Sequence, residues 1–177
     1  MYETKVINYF GGPGISKSTS ALKTTADLKE RRISSELVTE YAKDKVWRKD
    51  FFALECQPFI TGKQLYKQWV LNGQVKYIVT DCPLLLGIVY QGFGCTPEWE
   101  QSVVQQFKMF DNINILLKRN NEIHPYDPEG RVQTYEEALE KDQQVKELLL
   151  KYDVPFIEVE VQRESAHIKR VTQLLIN

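Results

Sequence analysis

The sequence predicts an α/β fold, in which a five-stranded parallel β-sheet is flanked by helices. Short apolar runs alternate along the chain with stretches of helix length, which is the element order of parallel sheets covered on both faces. The chain has 177 residues, of which 42% are hydrophobic and 27% are charged. This length and composition suit one compact domain with a sizeable core. We therefore predict a single domain over residues 1–177.

Five short apolar runs are predicted to form the strands. In chain order they are Lys5–Phe10, Ser35–Thr39, Tyr77–Thr80, Asn112–Leu117 and Pro155–Val159. In parallel sheets of this kind, ligands bind beyond the carboxyl ends of the strands. The residues that directly follow each strand are therefore the candidates for chemistry.

Longer stretches between these runs are predicted to be helices. They are Ser18–Arg31, Gly62–Leu71, Pro97–Phe110 and Tyr135–Tyr152. The last helix has the clearest start signal, because Thr134 precedes it and Glu137 follows three residues later. This spacing is that of a capping box, in which the two side chains bond the first free N–H groups of the helix. Between these helices, the apolar segment 84–90 is predicted to be buried.

A glycine-rich loop, GGPGISKS, follows the first predicted strand. Its glycines allow a tight backbone curl whose N–H groups point at phosphate oxygens. The helix that begins near Lys17 directs its positive end at the same oxygens. We predict that Lys17 reaches the β- and γ-phosphates of ATP and that the Ser18 hydroxyl binds Mg²⁺. The candidate nucleotide-binding residues are Gly11, Gly12, Gly14, Ile15, Ser16, Lys17, Ser18 and Thr19.

Ser16 is the one departure of this loop from the spacing G-x-x-x-x-G-K-S, because it stands where the second glycine is expected. A Cβ atom at this position either strains the loop or shifts it. Backbone strain of this kind costs on the order of 1–3 kcal/mol, which weakens binding without abolishing it. We predict a working but modified phosphate-binding loop.

Carboxylates follow the second and third predicted strands. Glu40, in VTEYAKD, is placed to accept a proton from a substrate hydroxyl or to hold the substrate. Tyr41 and Asp44 follow it with less support. Asp81, in YIVTDCP, ends an apolar run, and this pattern places a carboxylate beside Mg²⁺. We predict that Glu40 and Asp81 are catalytic residues and that Asp81 shares the metal site with Ser18, without deciding which carboxylate is the base.

A polar, turn-rich segment follows the fourth predicted strand and is expected to form a lid over residues 119–134. Lys118, Arg119 and Arg131 are placed to neutralise charge on the transferred phosphoryl group. Arg131 is the strongest of these candidates, because the glycine before it permits movement of the turn. We predict catalytic roles for Arg119 and Arg131.

The stretch after the second strand is rich in aromatic residues. They are Trp47, Phe51, Phe52, Phe59, Tyr66 and Trp69. We expect them to belong to the core rather than to a wall on which bases stack, although one or two rings could contact substrate.

Composition excludes some functional classes. A net charge of −1 gives no global attraction to nucleic acid or membranes, although a local basic strip is compatible with it. Cys56, Cys82 and Cys95 lack paired spacing, so free thiols are expected. No run has the signal-peptide pattern or the length of about 18 apolar residues that a membrane helix requires. We expect a cytoplasmic protein, with its oligomeric state open.

Taken together, these motifs resemble those of P-loop kinases. GGPGISKST differs at two places from the GGPGSGKST of many nucleotide kinases. VTEYAKD, VTDCPLLL and PYDPEGRVQT, in this order, resemble the NadR-type, ribosylnicotinamide kinase-like proteins, which include small bacteriophage members. The resemblance covers about Lys5 to Val159. It implies a P-loop NTPase, nucleotide-kinase-like fold in which the glycine-rich loop binds ATP and Mg²⁺. The resemblance also implies that Asp81 lies by the metal or acts as base and that Glu40 lies near the substrate. Arg119 and Arg131 would be lid arginines.

Three functions remain open from the sequence. The first is a kinase that phosphorylates a nucleoside, a nucleotide or a related small molecule. The second is a kinase of hydroxymethylated pyrimidines in phage DNA, which the near-neutral charge disfavours because gripping DNA usually takes several contacts from Lys and Arg. The third is a nucleotide-binding regulatory protein without turnover, which the departure at Ser16 permits and the charged candidate residues oppose. If the chain is phage-encoded, its location is the host cytoplasm.

Overall fold

A computed structural model of the chain describes residues 1–120, 122 and 134–176. Within them, the strands form one parallel sheet in the order β2-β3-β1-β4-β5. The strands are β1 (Lys5–Phe10), β2 (Ser35–Val38), β3 (Tyr77–Thr80), β4 (Asp111–Lys118) and β5 (Ile157–Glu160). The five predicted strands and the α/β fold class are confirmed. Strand β5 begins two residues later than predicted, after Pro155, which has no N–H to give to a ladder.

Helices connect the strands. They are α1 (Lys17–Glu30), α2 (Tyr41–Trp47), α3 (Phe51–Glu55), α4 (Gln57–Trp69), α5 (Leu86–Val89), α6 (Pro97–Lys108), α7 (Tyr135–Lys151) and α8 (His167–Ile176), with a short 3₁₀ helix at Arg163–Ser165. The capping box of α7 is confirmed, since Thr134 Oγ1 accepts from the Glu137 N–H and Glu137 accepts from the Thr134 N–H. Helix α4 begins five residues earlier than predicted. The sequence did not indicate helices α2, α3 and α5, because such short segments carry little periodic signal. It did not indicate α8 either, although Ile168, Val171 and Leu175 recur there at helical spacing and pack in the core.

The sheet is covered on both faces by these helices. Helices α1 and α8 contact each other, and their apolar side chains pack with the residues that β1 and β4 direct to that face. Helices α5, α6 and α7 enclose the core on the opposite face. The segment 84–90 is largely buried there, as predicted. Among the described helices, none is long and apolar enough to cross a membrane.

The strand register brings the candidate segments together at one edge of the sheet. Asn8 of β1 pairs with Thr80 of β3, and Val38 of β2 also pairs with Thr80. The glycine-rich loop after β1, Glu40 after β2 and Asp81 after β3 therefore emerge side by side. This convergence is what the parallel sheet contributes to the site.

Candidate active site

A cavity of about 520 Å³ lies beyond the carboxyl ends of β1, β2 and β3. One end is formed by the glycine-rich loop and the start of α1. The residues that line this end are Pro13, Gly14, Ser16, Lys17, Ser18 and Thr19. Glu40, Asp81 and Cys82 line the wall next to them. Five of the eight candidate nucleotide-binding residues thus share one cavity with the two candidate carboxylates, whereas Gly11, Gly12 and Ile15 do not line it.

Ser16 has the backbone conformation that glycine normally supplies at this point. Its φ and ψ angles are 66° and 24°, in the left-handed region, and it caps α1 without a side-chain hydrogen bond. For an L-residue this conformation costs roughly 1–2 kcal/mol. The chain therefore keeps the geometry of the loop and accommodates strain at Ser16.

The start of α1 presents free backbone donors to the cavity. An α-helix leaves its first N–H groups without an intrahelical acceptor, and its dipole makes this end positive. Lys17, Ser18 and Thr19 form this first turn, and all three line the cavity. The arrangement is suited to an anion such as a phosphate group.

Lys17 is held next to the loop by its own backbone. Its Nζ atom donates to the carbonyl oxygen of Gly11 at 2.8 Å and to that of Gly12 at 2.7 Å. Burial lowers the pKa of Lys17, whereas the nearby Glu40 and Asp81 carboxylates act in the opposite direction. Two short hydrogen bonds thus hold the ammonium group beside the glycine-rich loop.

Glu40 and Asp81 are joined through the backbone. Asp81 is 5% exposed, and its Oδ1 accepts from the Glu40 N–H at 3.0 Å. Burial raises the pKa of Glu40, the Lys17 ammonium acts against that shift, and the Asp81 charge adds to it. A carboxylate in such surroundings is a better proton acceptor than an exposed one.

The other end of the cavity is mainly apolar. Side chains of α2, α3, α4 and the segment around α5 line it. They include Val46, Phe51, Leu54, Ile60, Leu86 and Tyr90. Such a surface accepts a planar or apolar group, while the polar end holds charge.

Hydrogen bonds of Gln64 connect the start of α2 to β3. Gln64 is 2% exposed; its Oε1 accepts from the Tyr41 N–H at 3.0 Å, and its Nε2 donates to Thr80 Oγ1 at 3.5 Å. Thr80 Oγ1 in turn donates to the Val38 carbonyl at 2.9 Å. Since Glu40 directly precedes Tyr41, this network also positions Glu40.

Hydrogen bonds attach the glycine-rich loop to helix α7. The Gly12 N–H donates to Asp142 Oδ1 at 2.6 Å, and Arg119 Nε donates to Asp142 Oδ2 at 2.9 Å. Arg119 also donates to the Pro13 carbonyl at 2.8 Å. A Cβ atom on Gly12 would lie 2.6 Å from the Ala138 carbonyl oxygen. Gly12 therefore serves close packing against α7, and its N–H is engaged by Asp142.

Other members of the predicted loop are also used structurally. Ile15 is 3% exposed and packs in the core below α1, so only its backbone is available to a nucleotide. A Cβ atom on Gly11 would lie 2.7 Å from Ile15 Cγ2, and Gly11 has a φ of 144°. Gly11 is therefore required for the turn and for the approach of Ile15.

Most of the predicted lid, including Arg131, lies outside the described residues. Arg119 is described: its side chain is 7% exposed and paired with Asp142, with Nη1 lacking a partner among the described residues. Lys118 is exposed, 3.9 Å from Glu158. In this arrangement Arg119 braces the loop, and a direct contact of Arg119 with phosphate remains a prediction.

The expectation that the aromatic residues after β2 belong to the core is wrong. All six side chains are exposed, from 39% for Phe59 to 85% for Phe52. Helix α4 instead buries polar side chains, among them Gln64 and Gln68. The expectation fails because aromatic content does not determine burial: the helix face that carries the rings does, and in α4 the inward face carries glutamines.

Asp142 and Gln64 are site-supporting residues that the sequence did not indicate. Asp142 lies in a helix rich in charged residues, and Gln64 is one of several glutamines of α4. Neither stands at a motif position, so no local signal distinguishes it from a solvent-exposed neighbour. Cys82 is a free thiol beside Asp81, and burial raises its pKa, which disfavours the reactive thiolate.

Comparison with solved structures shows the fold of the chain. A NadR protein in complex with NR has a TM-score of 0.62 at 14% identity, over 97% of this chain and 50% of that one. Deoxyadenosine kinase from M. mycoides with bound dATP has a TM-score of 0.57 at 18% identity, over 97% and 100% of the two chains. Thymidylate kinase from Ehrlichia chaffeensis has a TM-score of 0.59 at 15% identity, over 98% and 97%.

These likenesses confirm the P-loop nucleotide-kinase fold that the motifs resemble. The chain spans half the length of the NadR protein. No family model matches the sequence. No curated protein matches it either.

Proposed function

We propose that this protein is an ATP- and Mg²⁺-dependent phosphotransferase that acts on a hydroxyl group of a nucleoside, a nucleotide or a related small molecule. The observation that carries the proposal is the composition of the cavity. A cationic, donor-rich end with Lys17 adjoins two carboxylates, and an apolar end lies beyond them. The first part suits the phosphates of ATP, and the last suits the ring of an acceptor.

The donor set fits Mg²⁺. This ion prefers hard oxygen ligands, keeps several waters and is usually held by one or two protein groups together with substrate phosphates. The Ser18 hydroxyl and the Asp81 carboxylate line the same cavity and are the residues that would hold it. When bound, the ion neutralises charge on the phosphate oxygens.

Lys17 and the first turn of α1 bind and orient the phosphates in this proposal. The Lys17 ammonium is already positioned by the Gly11 and Gly12 carbonyls. Binding therefore demands little ordering of this long side chain, and positioned charge of this kind stabilises the transferred phosphoryl group.

Glu40 is the proton acceptor in this proposal. The acceptor hydroxyl oxygen forms a bond to the γ-phosphorus while the bond from that phosphorus to the β–γ bridging oxygen breaks, and ADP keeps that oxygen. The hydroxyl proton passes to the Glu40 carboxylate. The raised pKa of Glu40 favours this transfer. Asp81 is less suited to the role, because its Oδ1 already accepts from the Glu40 N–H.

The test is phosphoryl transfer from γ-labelled ATP with Mg²⁺ to a panel of nucleosides, nucleoside monophosphates and hydroxymethyluracil-containing DNA. We expect label on at least one small acceptor, with transfer lost in Lys17→Ala. Lys23→Ala is the matched control, because Lys23 is an exposed lysine of the same helix. Transfer to the modified DNA alone would support the second function named above. Binding of ATP without transfer to any acceptor would contradict the proposal and support a nucleotide-binding protein.

A further inference from the structure

Helix α4 buries polar side chains and exposes aromatic ones, which is the reverse of the usual pattern. It buries Gln57, Gln64 and Gln68, whereas Tyr66 is 60% exposed and Trp69 is 63% exposed. Buried polar groups and exposed large apolar side chains are the informative exceptions to the usual pattern. Contiguous apolar patches on a surface are typical of interaction sites.

Helices α2 and α3 extend this surface. The three helices pack against one another. The Tyr66 and Trp69 rings lie 6.1 Å apart, and the Tyr41 and Phe59 rings 5.9 Å apart. We use the term aromatic face for the exposed aromatic side chains of these three helices, which are Trp47, Phe51, Phe52, Phe59, Tyr66 and Trp69. Its rings are available to a partner that can stack on them.

The aromatic face is also locally basic. Residues 41–70 contain six lysines and arginines against three acidic residues, a net charge of +3, so the rest of the chain carries −4. Lys45 Nζ and Lys63 Nζ lie 5.9 Å and 5.6 Å from the centre of the Phe59 ring. The near-neutral charge of the whole chain therefore conceals a basic segment, residues 41–70, which carries the aromatic face.

Three cations of this region are available to a partner. Lys43, Arg48 and Lys49 are exposed, and none of them makes an ion pair within the described residues. Lys45, by contrast, is paired with Asp50 at 2.8 Å. Unpaired cations beside exposed rings form a surface for a partner that is both anionic and planar.

We propose that the aromatic face binds single-stranded nucleic acid. Proteins that bind such strands combine cations along the phosphate backbone with aromatic rings on which successive bases stack. A duplex is a poorer partner, since its bases already stack on one another. A second copy of the chain is also a poorer partner, because a two-fold interface brings the same residues of both copies together, and here these include the unpaired cations Lys43, Arg48 and Lys49.

The aromatic face continues into the cavity. Lys43, Val46 and Phe51 belong to α2 and α3 and also line the cavity wall. A strand on this face therefore places one nucleotide at the cavity mouth. This inference concerns binding and does not depend on phosphoryl transfer.

The test is fluorescence anisotropy of a labelled oligothymidylate of about 20 nucleotides, long enough for a typical single-strand site, at low and at physiological salt. We expect binding that weakens as salt rises, because bound cations release counterions from the strand. Trp69→Ala, and Trp47→Ala on a neighbouring helix, should each weaken binding by about ten-fold, the loss of one stacking platform. The matched control is Leu174→Ala, an exposed apolar residue of α8 on the opposite face of the sheet.

A second test, of the role of charge, compares two double variants that change the net charge by the same amount. Arg48→Gln with Lys49→Gln should weaken binding and reduce its salt dependence, whereas Lys169→Gln with Arg170→Gln on α8 should change neither. A duplex of the same length should compete less well than the strand. Circular dichroism confirms folding, which these exposed positions should not disturb.

Three results would overturn the inference. One is no binding of the oligonucleotide by the wild-type protein at low salt. Another is an equal loss of affinity from the α8 variants. The third is a wild-type dimer in sedimentation that Trp69→Ala converts to a monomer, which would assign the aromatic face to a second copy of the chain.

Discussion

Asp142 of α7 accepts a hydrogen bond from the Gly12 N–H at 2.6 Å and thereby holds the glycine-rich loop in place. The same carboxylate pairs with Arg119, which also donates to the Pro13 carbonyl. A helix from the C-terminal half of the chain therefore determines where the loop lies. The catalytic geometry proposed here depends on this attachment as much as on the loop itself.

Loss of the Asp142 carboxylate should destabilise the protein and weaken its binding of ATP. Asp142→Ala leaves Arg119 largely buried without its ion-pair partner, which costs about 3 kcal/mol when a buried pair is broken. Chemical denaturation should show a lower free energy of unfolding, and titration with ATP a higher Kd. Arg119→Ala with Asp142→Ala should cost less than the sum of the single changes. The control is Lys146→Ala, which removes an exposed pair with Glu158 and should cost no more than about 1 kcal/mol; equal losses at the two sites would contradict the prediction.

Replacement of Ser16 by glycine should stabilise the protein. Relief of the left-handed conformation contributes about 1 kcal/mol, measured as a rise in the free energy of unfolding. Arg32 is the matched control, since its φ of 59° places it in the same region at the far end of α1. Ser16→Gly should also lower the Kd for ATP, whereas Arg32→Gly should raise stability alone. A loss of ATP affinity in Ser16→Gly would show that the serine side chain contributes to binding.

The pH dependence of transfer should report Glu40. Activity requires the ionised carboxylate, so kcat/KM should rise with pH through the raised pKa of Glu40, which lies above that of an exposed glutamate. Glu40→Gln should lower kcat by at least about 100-fold and remove this acid limb. The Kd for ATP should change little. An acid limb that persists in Glu40→Gln would move the role of base to Asp81.

Two buried glutamines of α4 should respond in opposite ways to replacement by leucine. Gln64→Leu leaves the Tyr41 N–H without its acceptor, which costs about 1–3 kcal/mol of stability, and should lower kcat because Glu40 is adjacent. Gln68 has an Nε2 atom without a partner among the described residues, so Gln68→Leu should be neutral or stabilising. Both residues are 2% exposed, which makes them a matched pair. Equal destabilisation would show that packing, rather than hydrogen bonding, determines the contribution of both residues to stability.

Local sequence patterns were sufficient to predict the sheet and the residues at the glycine-rich end of the cavity. The glycine-rich loop, Lys17, Ser18 and the strand-end carboxylates lie next to strands with clear apolar signals. Parallel pairing then forces them to one edge of the sheet, because every strand points the same way. The local sequence pattern and the parallel topology together are sufficient to predict this end of the cavity.

The surroundings of that end depend on contacts between residues that are far apart in the sequence. Asp142 lies 130 residues from Gly12 along the chain, and Gln64 lies 23 residues from Tyr41; no local pattern encodes either contact. The aromatic face was misjudged for the same reason. Composition records how many rings a segment contains, but the direction in which α4 turns them is decided by what its other face packs against.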